Sequence, residues 1–392
     1  MDPVRNPFAP GAGSQPPELA GREEIIAAAD TALQRVLIGR HDKSQIFLGL
    51  RGTGKTVLLN KIESLAEGHG HITSFIEAPE NKTLVELIYP RIHQALRKLS
   101  IIESAKASAH TAMGTLKAFA SAFKISIGDI SISVDPETGT ADSGILEYDL
   151  CELFVKVGEA AKAAERGWTL LIDEIQYLSD EELSALIVSI HRVNQKNLPV
   201  IFFGAGLPQV AALSGEAKSY AERLFNYPSI GALDINSAKA AIQQPILDEE
   251  EVILDEALDI IFEKTQGYPY FLQEWGFQAW NIAENSPIDA SVINAATPAA
   301  LRRLDEGFFR VRFDRLTPKE RDYVFAMAKL GKGPYRSSDV ADILGERAQS
   351  LGPCRAKIIS KGMIYSPAHG DIDFTVPMFE DYLRRTHPEL CA

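Results

Sequence analysis

The sequence predicts an α/β fold, with a parallel sheet covered by helices on both faces. Short, fully apolar runs alternate with stretches of helical periodicity, a pattern typical of strands that are buried on both sides. The first of these runs leads directly into a glycine-rich loop at residues 49–56. A later run, residues 168–172, ends in the acids Asp173 and Glu174. Both features fit the carboxyl ends of parallel strands, where such folds bind their ligands.

The elements of this sheet domain follow from apolar runs and turn residues. The predicted strands are residues 45–48, 72–76, 168–172, 200–203 and 229–233. The predicted helices are residues 23–33, 55–66, 83–99, 181–195 and 217–225. Residues 104–146 interrupt the alternation and are interpreted as an insertion. In it, isoleucines alternate around Gly128-Asp129, which predicts a β-hairpin.

The chain of 392 residues is long enough for two or three domains. Residues 1–17 hold five prolines and predict a flexible leader. The nucleotide-binding α/β domain is expected over residues 18–233 and an all-helical lid over 234–315. Residues 316–392 predict three helices followed by two strands around a turn, which is the order of a winged-helix domain.

Composition and charge restrict the class of protein. The net charge is −13, and from Leu316 onward eleven Lys/Arg stand against ten Asp/Glu, which disfavours a strongly basic nucleic-acid coat. No apolar stretch reaches the length of a membrane span, and no secretory signal is evident. The cysteines at 151, 354 and 391 have no metal-ligand spacing. We therefore expect a cytoplasmic protein that does not contact a membrane.

The loop GLRGTGKT carries the clearest chemistry. Its residues are Gly49, Leu50, Arg51, Gly52, Thr53, Gly54, Lys55 and Thr56. Glycines let consecutive backbone N–H groups turn inward and hold phosphate oxygens at the positive end of the following helix. Lys55 is expected to reach the β- and γ-phosphates, and the Thr56 hydroxyl to ligate Mg²⁺. The loop therefore predicts a site for a nucleoside triphosphate, ATP with Mg²⁺.

The acids after residues 168–172 are expected to complete this site. Asp173 leaves the tip of a buried strand, where its carboxylate can reach Mg²⁺ directly or through water. Glu174 follows at once and is the candidate general base that activates the attacking water.

These two motifs, in this order, resemble those of the AAA+ ATPases. The similarity is greatest to the group with archaeal replication-initiator ATPases and signalling (STAND) ATPases, over about residues 16–385. The resemblance implies that Gly21 and Arg22 belong to an amino-terminal box against the adenine, although they are also a plain start of a helix. It also implies that Gly267 and Pro269, in Gly-Tyr-Pro, shape the adenine pocket; the same triplet is a common helix-start turn.

The resemblance assigns two further positions. Arg223 stands where the family places an arginine finger that reaches a neighbouring subunit's γ-phosphate; the alternative is a solvated arginine paired with Glu222 or another acid. The tip of the fourth strand lacks the family's polar sensor and carries Gly204 and Gly206 instead, with Gln209 as a candidate substitute. Nucleotide-dependent assembly of a homo-oligomer is implied in the same way.

The carboxy-terminal module leaves the partner open. Its third predicted helix carries Arg355, Lys357 and Lys361, which could contact DNA phosphates. The near-neutral charge of the module equally fits docking of a protein or packing within the chain. Three hypotheses remain: an ATP-hydrolysing molecular switch that acts on DNA or a protein, a STAND-like nucleotide-dependent signalling module with slow hydrolysis, or a winged-helix DNA-binding regulator.

Overall fold

A computed structural model describes residues 1–11, 19–79, 81–125, 135–137 and 139–391. The hairpin predicted around Gly128-Asp129 lies outside these residues. The described chain forms two compact units. The sheet unit comprises Arg22–Gly49 and Lys55–Ile230, and the C-terminal unit comprises Met1–Gly21, Leu50–Gly54 and Gly231–Ala392.

The sheet unit contains eight helices and five strands among its described residues. In chain order they are α1 Glu23–Leu37, β1 Ser44–Leu48, α2 Lys55–Gly68, β2 Ile72–Glu77, α3 Leu84–Ser100, α4 Lys106–Ala122, α5 Leu146–Ala163, β3 Trp168–Asp173, α6 Asp180–Gln195, β4 Val200–Gly206, α7 Val210–Ala217, α8 Ala221–Leu224 and β5 Phe225–Asn226. The strands pair in parallel in the order β2-β3-β4-β1-β5. The predicted α/β class is confirmed.

Both faces of this sheet are buried, which explains why its strands are continuous apolar runs rather than alternating ones. On β4, Phe202 packs in the core that includes α3 to α6, and Phe203 packs on the opposite side with α1 and α2. Ile172 and Leu171 divide in the same way on β3. All of β3 and β4 is buried, including the acid that ends β3.

Two predicted elements of the sheet unit are wrong. A helix over residues 217–225 is replaced by α7, α8 and the short β5. The last strand is β5, and residues 229–233 contribute only an isolated parallel bridge between Ser229 and Leu48. Helix α7 is short and rich in small residues, and β5 has only two residues. Neither therefore shows a clear periodic pattern of apolar residues. Helix α5 was not predicted.

The C-terminal unit is helical with one small sheet. Its elements are α9 Ile235–Asp248, α10 Asp255–Thr265, α11 Pro269–Ile282, α12 Ala290–Arg303, a π-helical turn Leu304–Phe309, α13 Arg310–Phe313, α14 Pro318–Lys329, β6 Tyr335–Arg336, α15 Ser337–Leu344, α16 Gly352–Ser360, β7 Ile364–Tyr365, β8 Asp371–Phe374, α17 Phe379–Thr386 and α18 Pro388–Cys391. The three strands form an antiparallel sheet in the order β6-β8-β7. The predicted order of three helices and a hairpin is present, with β6 added.

An aromatic cluster joins the lid helices to the carboxy-terminal module inside this unit. The ring centroid of Phe309, in the π-helical turn, lies 5.2 Å from that of Tyr382 and 5.9 Å from that of Phe379, both on α17. The ring of Phe313 packs against that of Phe325 on α14, with ring centroids 5.6 Å apart. Because these rings share one core, the lid and the module are parts of one packed body.

The prediction of a flexible leader is wrong for residues 1–11. Phe8 is buried, and the Asn6 amide donates to the Phe277 carbonyl at 3.0 Å. The Trp280 indole N–H donates to the Asp2 carbonyl at 2.8 Å. Gly276 makes room for the ring of Phe8, since an added Cβ would lie 2.8 Å from it. The segment contains one short 3-10 helix, Pro3–Arg5, and its other contacts are made by anchored side chains such as Asn6 and Phe8.

None of the helices in the described part of the chain is long and apolar enough to cross a membrane.

Candidate functional site

The glycine-rich loop follows β1 and ends at the first residues of α2. Gly49 N–H donates to the Gly206 carbonyl at 3.0 Å, which ties the start of the loop to the tip of β4. Gly52 and Gly54 have φ values of +83° and +91°, which an L side chain rarely adopts. Helix α2 begins at Lys55, so the N–H groups of its first turn and its positive dipole end lie where the motif requires an anion.

Lys55 is buried within the sheet unit. Its Nζ donates to the Gly49 carbonyl at 2.9 Å, so the side chain folds back along the loop from which it starts. A buried ammonium needs several acceptors, and phosphate oxygens would supply them.

Thr56 and Asp173 meet at the end of β3. Thr56 Oγ1 donates to Asp173 Oδ2 at 2.5 Å, and Asp173 Oδ1 accepts the Glu174 N–H at 2.8 Å. Burial raises the pKa of Asp173, and the Thr56 hydrogen bond opposes this shift. A hydroxyl and a carboxylate are hard oxygen ligands of the kind that Mg²⁺ takes together with phosphate oxygens and water.

No cluster of three or more His, Cys, Asp or Glu side chains with metal-binding geometry occurs among the residues that the structure describes. Mg²⁺ is usually bound through one or two carboxylates together with substrate phosphates, and the donor set of Thr56 and Asp173 is compatible with that mode.

Glu174 follows β3 in a left-handed backbone conformation, with φ +55° and ψ +38°. Its carboxylate accepts a hydrogen bond from the Gln176 side-chain amide, while Gln176 Oε1 accepts the Leu207 N–H at 3.1 Å. Gln176 thus connects the candidate base to the residue after β4. Gln176 was not singled out from the sequence; a polar residue two positions after the paired acids was the available signal.

The tip of β4 is packed too closely for a larger side chain. A Cβ on Gly206 would lie 2.8 Å from Ile175 and 2.9 Å from Gln176 Oε1, and one on Gly204 would lie 2.9 Å from the Phe202 ring. The Gln209 Oε1 atom, beyond the strand, is buried and has no hydrogen-bond partner within the described ranges. Gly206 therefore makes room for Gln176, and Gly204 makes room for the Phe202 ring.

Arg22 and Arg223 also lie in the sheet unit. Arg22 precedes α1, where burial lowers its guanidinium pKa. Arg223 is on the one-turn helix α8, directly before β5, and its side chain is exposed. No salt bridge to Arg223 occurs between described residues, so the alternative of a pairing with Glu222 or another acid is not observed.

The middle of the loop, Leu50–Gly54, packs inside the C-terminal unit. The Tyr268 hydroxyl donates to the Arg51 carbonyl, and Tyr270 N–H donates to the Gly52 carbonyl at 3.2 Å. The Arg51 guanidinium lies against Gly362, after α16. Tyr268, the central residue of Gly-Tyr-Pro, was not singled out from the sequence; an aromatic residue between two turn residues was the signal.

The other residues that the resemblance assigned to the adenine pocket lie at turns of this unit. Gly21, with φ +70°, approaches Ser237, whose Oγ would be 2.8 Å from an added Cβ. Gly267, with φ +69°, accepts the Leu233 N–H at 2.8 Å, and an added Cβ would overlap the Leu233 carbonyl oxygen. Pro269 is the first residue of α11, where its missing N–H is not needed.

The cations predicted to contact DNA have different surroundings. Arg355 donates to the Ser337 hydroxyl at 3.0 Å, and Lys361 binds the buried carboxylate of Glu320 at 2.6 Å. Lys357 is exposed. Two of the three side chains therefore hold the module together.

Residues 18–203 match the family model of the AAA ATPase domain, and residues 306–383 match a domain of unknown function, DUF8462. No curated protein matches the sequence. Among solved structures, the Walker-type ATPase PABY2304 of Pyrococcus abyssi is 16% identical, with 93% of this chain and 96% of that chain covered and a TM-score of 0.59.

Two further structures extend the comparison. The RuvB Holliday junction branch migration motor of Thermotoga maritima is 15% identical, covers 94% of this chain and 98% of its own, and has a TM-score of 0.46. Orc1 of Aeropyrum pernix in complex with DNA is 14% identical, with 98% and 96% covered and a TM-score of 0.47. At these identities the similarity concerns the fold alone, and the lower TM-scores of these two carry no further argument.

Proposed function

We propose that this chain, whose residues 18–203 match the AAA ATPase domain, binds ATP with Mg²⁺ and hydrolyses it to ADP and phosphate. The observation that carries the proposal is the 2.5 Å contact between Thr56 Oγ1 and Asp173 Oδ2, with the buried Lys55 on the same loop. Together they supply one cation and two hard oxygen ligands for a triphosphate and its metal.

Each residue has a defined task in this proposal. Lys55 exchanges its bond to the Gly49 carbonyl for bonds to phosphate oxygens, and the amides of residues 49–56 surround the same phosphates. Thr56 and Asp173 would hold Mg²⁺, which neutralises charge on the β- and γ-oxygens when bound. Glu174 accepts a proton from the attacking water. Gln176 orients the Glu174 carboxylate through its side-chain amide.

The substitution Glu174→Gln tests the proposed division between binding and catalysis. We expect unchanged Mg–ATP affinity, measured by titration, and phosphate release at least about 100-fold slower, because the neutral amide cannot take the proton. Glu181→Gln, at an exposed acid in the first turn of α6, is the control and keeps both properties. Equal turnover in the Glu174→Gln and wild-type proteins would reject Glu174 as the base.

A second candidate is a nucleotide-dependent signalling module whose hydrolysis only resets it. The glycines at the tip of β4 favour this alternative, because Gly204 and Gly206 offer no side chain to contact a γ-phosphate. Steady-state turnover below about one per minute, well under the usual enzymatic range, together with a large ATP-dependent change in conformation, supports the signalling alternative. Faster turnover supports the hydrolytic switch.

We further propose that nucleotide state controls assembly and the binding of a partner, either DNA or a protein. The exposed Arg223 supports assembly through the ATP site, and the exposed Lys357 is the remaining candidate for a phosphate contact. Sizing the protein with and without ATP, in the presence and absence of duplex DNA, separates the classes. An ATP-dependent increase in mass without DNA indicates a homo-oligomer, and a further increase with DNA indicates that DNA is the partner.

A further inference from the structure

Two consecutive carbonyl groups of the glycine-rich loop are engaged by the start of α11. The Tyr268 hydroxyl donates to the Arg51 carbonyl, and the Tyr270 N–H donates to the Gly52 carbonyl at 3.2 Å. Both contacts lie inside the C-terminal unit. They therefore fix two successive peptide planes of the segment expected to surround the phosphates.

Fixing a carbonyl also fixes the next N–H group. A trans peptide is planar, and its C=O and N–H bonds point in opposite directions. With the Arg51 carbonyl held toward Tyr268, the Gly52 N–H points away from that tyrosine. By the same geometry the Thr53 N–H points away from Tyr270. Within the described ranges neither amide donates a hydrogen bond to the protein, so both remain available to an anion.

The backbone of Gly52 lies close to the side chains of Tyr268 and Tyr270. Gly52 has φ +83°, and a Cβ there would lie 3.2 Å from both Tyr268 Cε1 and Tyr270 Cβ. Tyr268 is buried, and its ring packs 4.9 Å from that of Phe271. Burial raises the Tyr268 pKa, so the hydroxyl stays protonated and donates at neutral pH. The Arg51 carbonyl can only accept, which sets the direction of this bond.

We propose that Tyr268 is a positioning residue of the phosphate loop: its hydroxyl holds the Arg51–Gly52 peptide so that the Gly52 N–H faces a phosphate oxygen of the bound nucleotide. The inference rests on the proposed ATP binding. Tyr268 touches neither the nucleotide base nor the reacting atoms in this role. Tyr268 affects only the conformation of the phosphate loop, which it holds ready to bind phosphate.

The test is Tyr268→Phe, which removes one oxygen and keeps the ring. Its matched control is Tyr335→Phe, because the buried Tyr335 hydroxyl also donates to a backbone carbonyl, that of Gly331, at 2.9 Å. Titrations of Mg–ADP and of AMP separate an effect on the phosphate loop from one on the adenine pocket. Melting temperatures of both variants report any general loss of structure.

For Tyr268→Phe we expect Mg–ADP affinity to fall about fivefold to tenfold while AMP affinity is unchanged, because one oriented hydrogen-bond donor is lost. At saturating ATP the kcat stays at the wild-type value and the KM rises. Tyr335→Phe should alter neither affinity. Equal weakening of AMP and ADP, or equal weakening by both variants, would overturn the inference.

Failure of this inference and failure of the proposed function give different results. If the wild-type protein binds Mg–ADP and Tyr268→Phe binds it equally well, only the positioning role of Tyr268 is wrong. If the wild-type protein binds no nucleotide, the proposed function is itself wrong, and the inference falls with it.

Discussion

Thr56 and Asp173 are 117 positions apart in the chain, yet their side-chain oxygens lie 2.5 Å from each other. In the proposed site these two oxygens would hold Mg²⁺ together, and the ion would supply positive charge beside the phosphates. Asp173 is almost completely buried, so the Thr56 hydroxyl also donates a hydrogen bond to a carboxylate that has little access to water.

Lys361 and Lys357 should differ in their effect on stability. Lys361 binds Glu320, whose side chain is 3% exposed, so Lys361→Ala removes the cation from a buried carboxylate that then accepts only from Thr317. We expect a loss of about 2 kcal/mol in the free energy of unfolding, measured by denaturant titration. Lys357→Ala, at an exposed position of the same module, should change it by less than about 0.5 kcal/mol.

The same pair of variants makes the DNA hypothesis testable. Because Lys357→Ala leaves the module intact, weaker DNA binding by this variant with a shallower salt dependence would indicate a phosphate contact. Unchanged binding would remove Lys357 from the DNA surface. Lys361→Ala cannot be interpreted in this way, because loss of binding there also follows from loss of structure.

Arg223 should act on the ATP site of a neighbouring subunit. We expect Arg223→Ala and Glu174→Gln to be inactive separately, and mixtures of the two to recover part of the ATPase activity. In mixed assemblies a Glu174→Gln subunit supplies its arginine to an intact site on the Arg223→Ala subunit. Arg97→Ala, at an exposed arginine of α3, is the control and stays active. Wild-type activity of Arg223→Ala alone, or mixtures that remain inactive, would contradict a finger role.

His71 makes the sheet unit sensitive to acid. It is buried, with Nε2 at 3.2 Å from the Leu33 carbonyl and Nδ1 at 2.8 Å from Thr169 Oγ1. The carbonyl can only accept, so Nε2 carries the proton of the neutral ring and Nδ1 accepts from Thr169. Burial lowers the His71 pKa to about 4 from its ordinary 6.5.

The consequence is a loss of stability at low pH. Between pH 6.5 and 4 the unfolded chain binds a proton at His71 that the folded chain does not, so the free energy of unfolding falls as the pH falls. We expect His71 to account for about 2 kcal/mol between pH 7 and 5. Urea titrations at both pH values should show this difference shrinking in His71→Gln. An equal pH dependence in the two proteins would show that His71 is not responsible.

The sequence alone predicted the elements whose residue pattern fits only one kind of structure. The run at residues 168–172 predicts a buried strand, and β3 is Trp168–Asp173. The loop of residues 49–56 required a strand before it and a helix after it, and β1 and α2 flank it. These features are local, so periodicity and spacing reveal them.

Contacts between distant segments could not be predicted. The packing of Phe8 needs the space beside Gly276 on α11, where an added Cβ would lie 2.8 Å from the ring, and no local pattern reports this contact. Gln176 and Tyr268 matter because of what they touch, Leu207 N–H and the Arg51 carbonyl, and both contacts depend on tertiary packing. Lys361 was predicted to contact DNA phosphates, because nothing local reveals its buried partner Glu320, 41 positions away.

Calorimetric titration of Mg–ATP into the wild-type protein and into Lys55→Ala tests the central claim most directly. Lys61→Ala, on the same helix α2, controls for the loss of a lysine. We expect saturable binding to the wild-type and Lys61→Ala proteins and affinity at least about 100-fold weaker in a folded Lys55→Ala. Wild-type affinity in Lys55→Ala, or no binding by the wild-type protein, would contradict this claim.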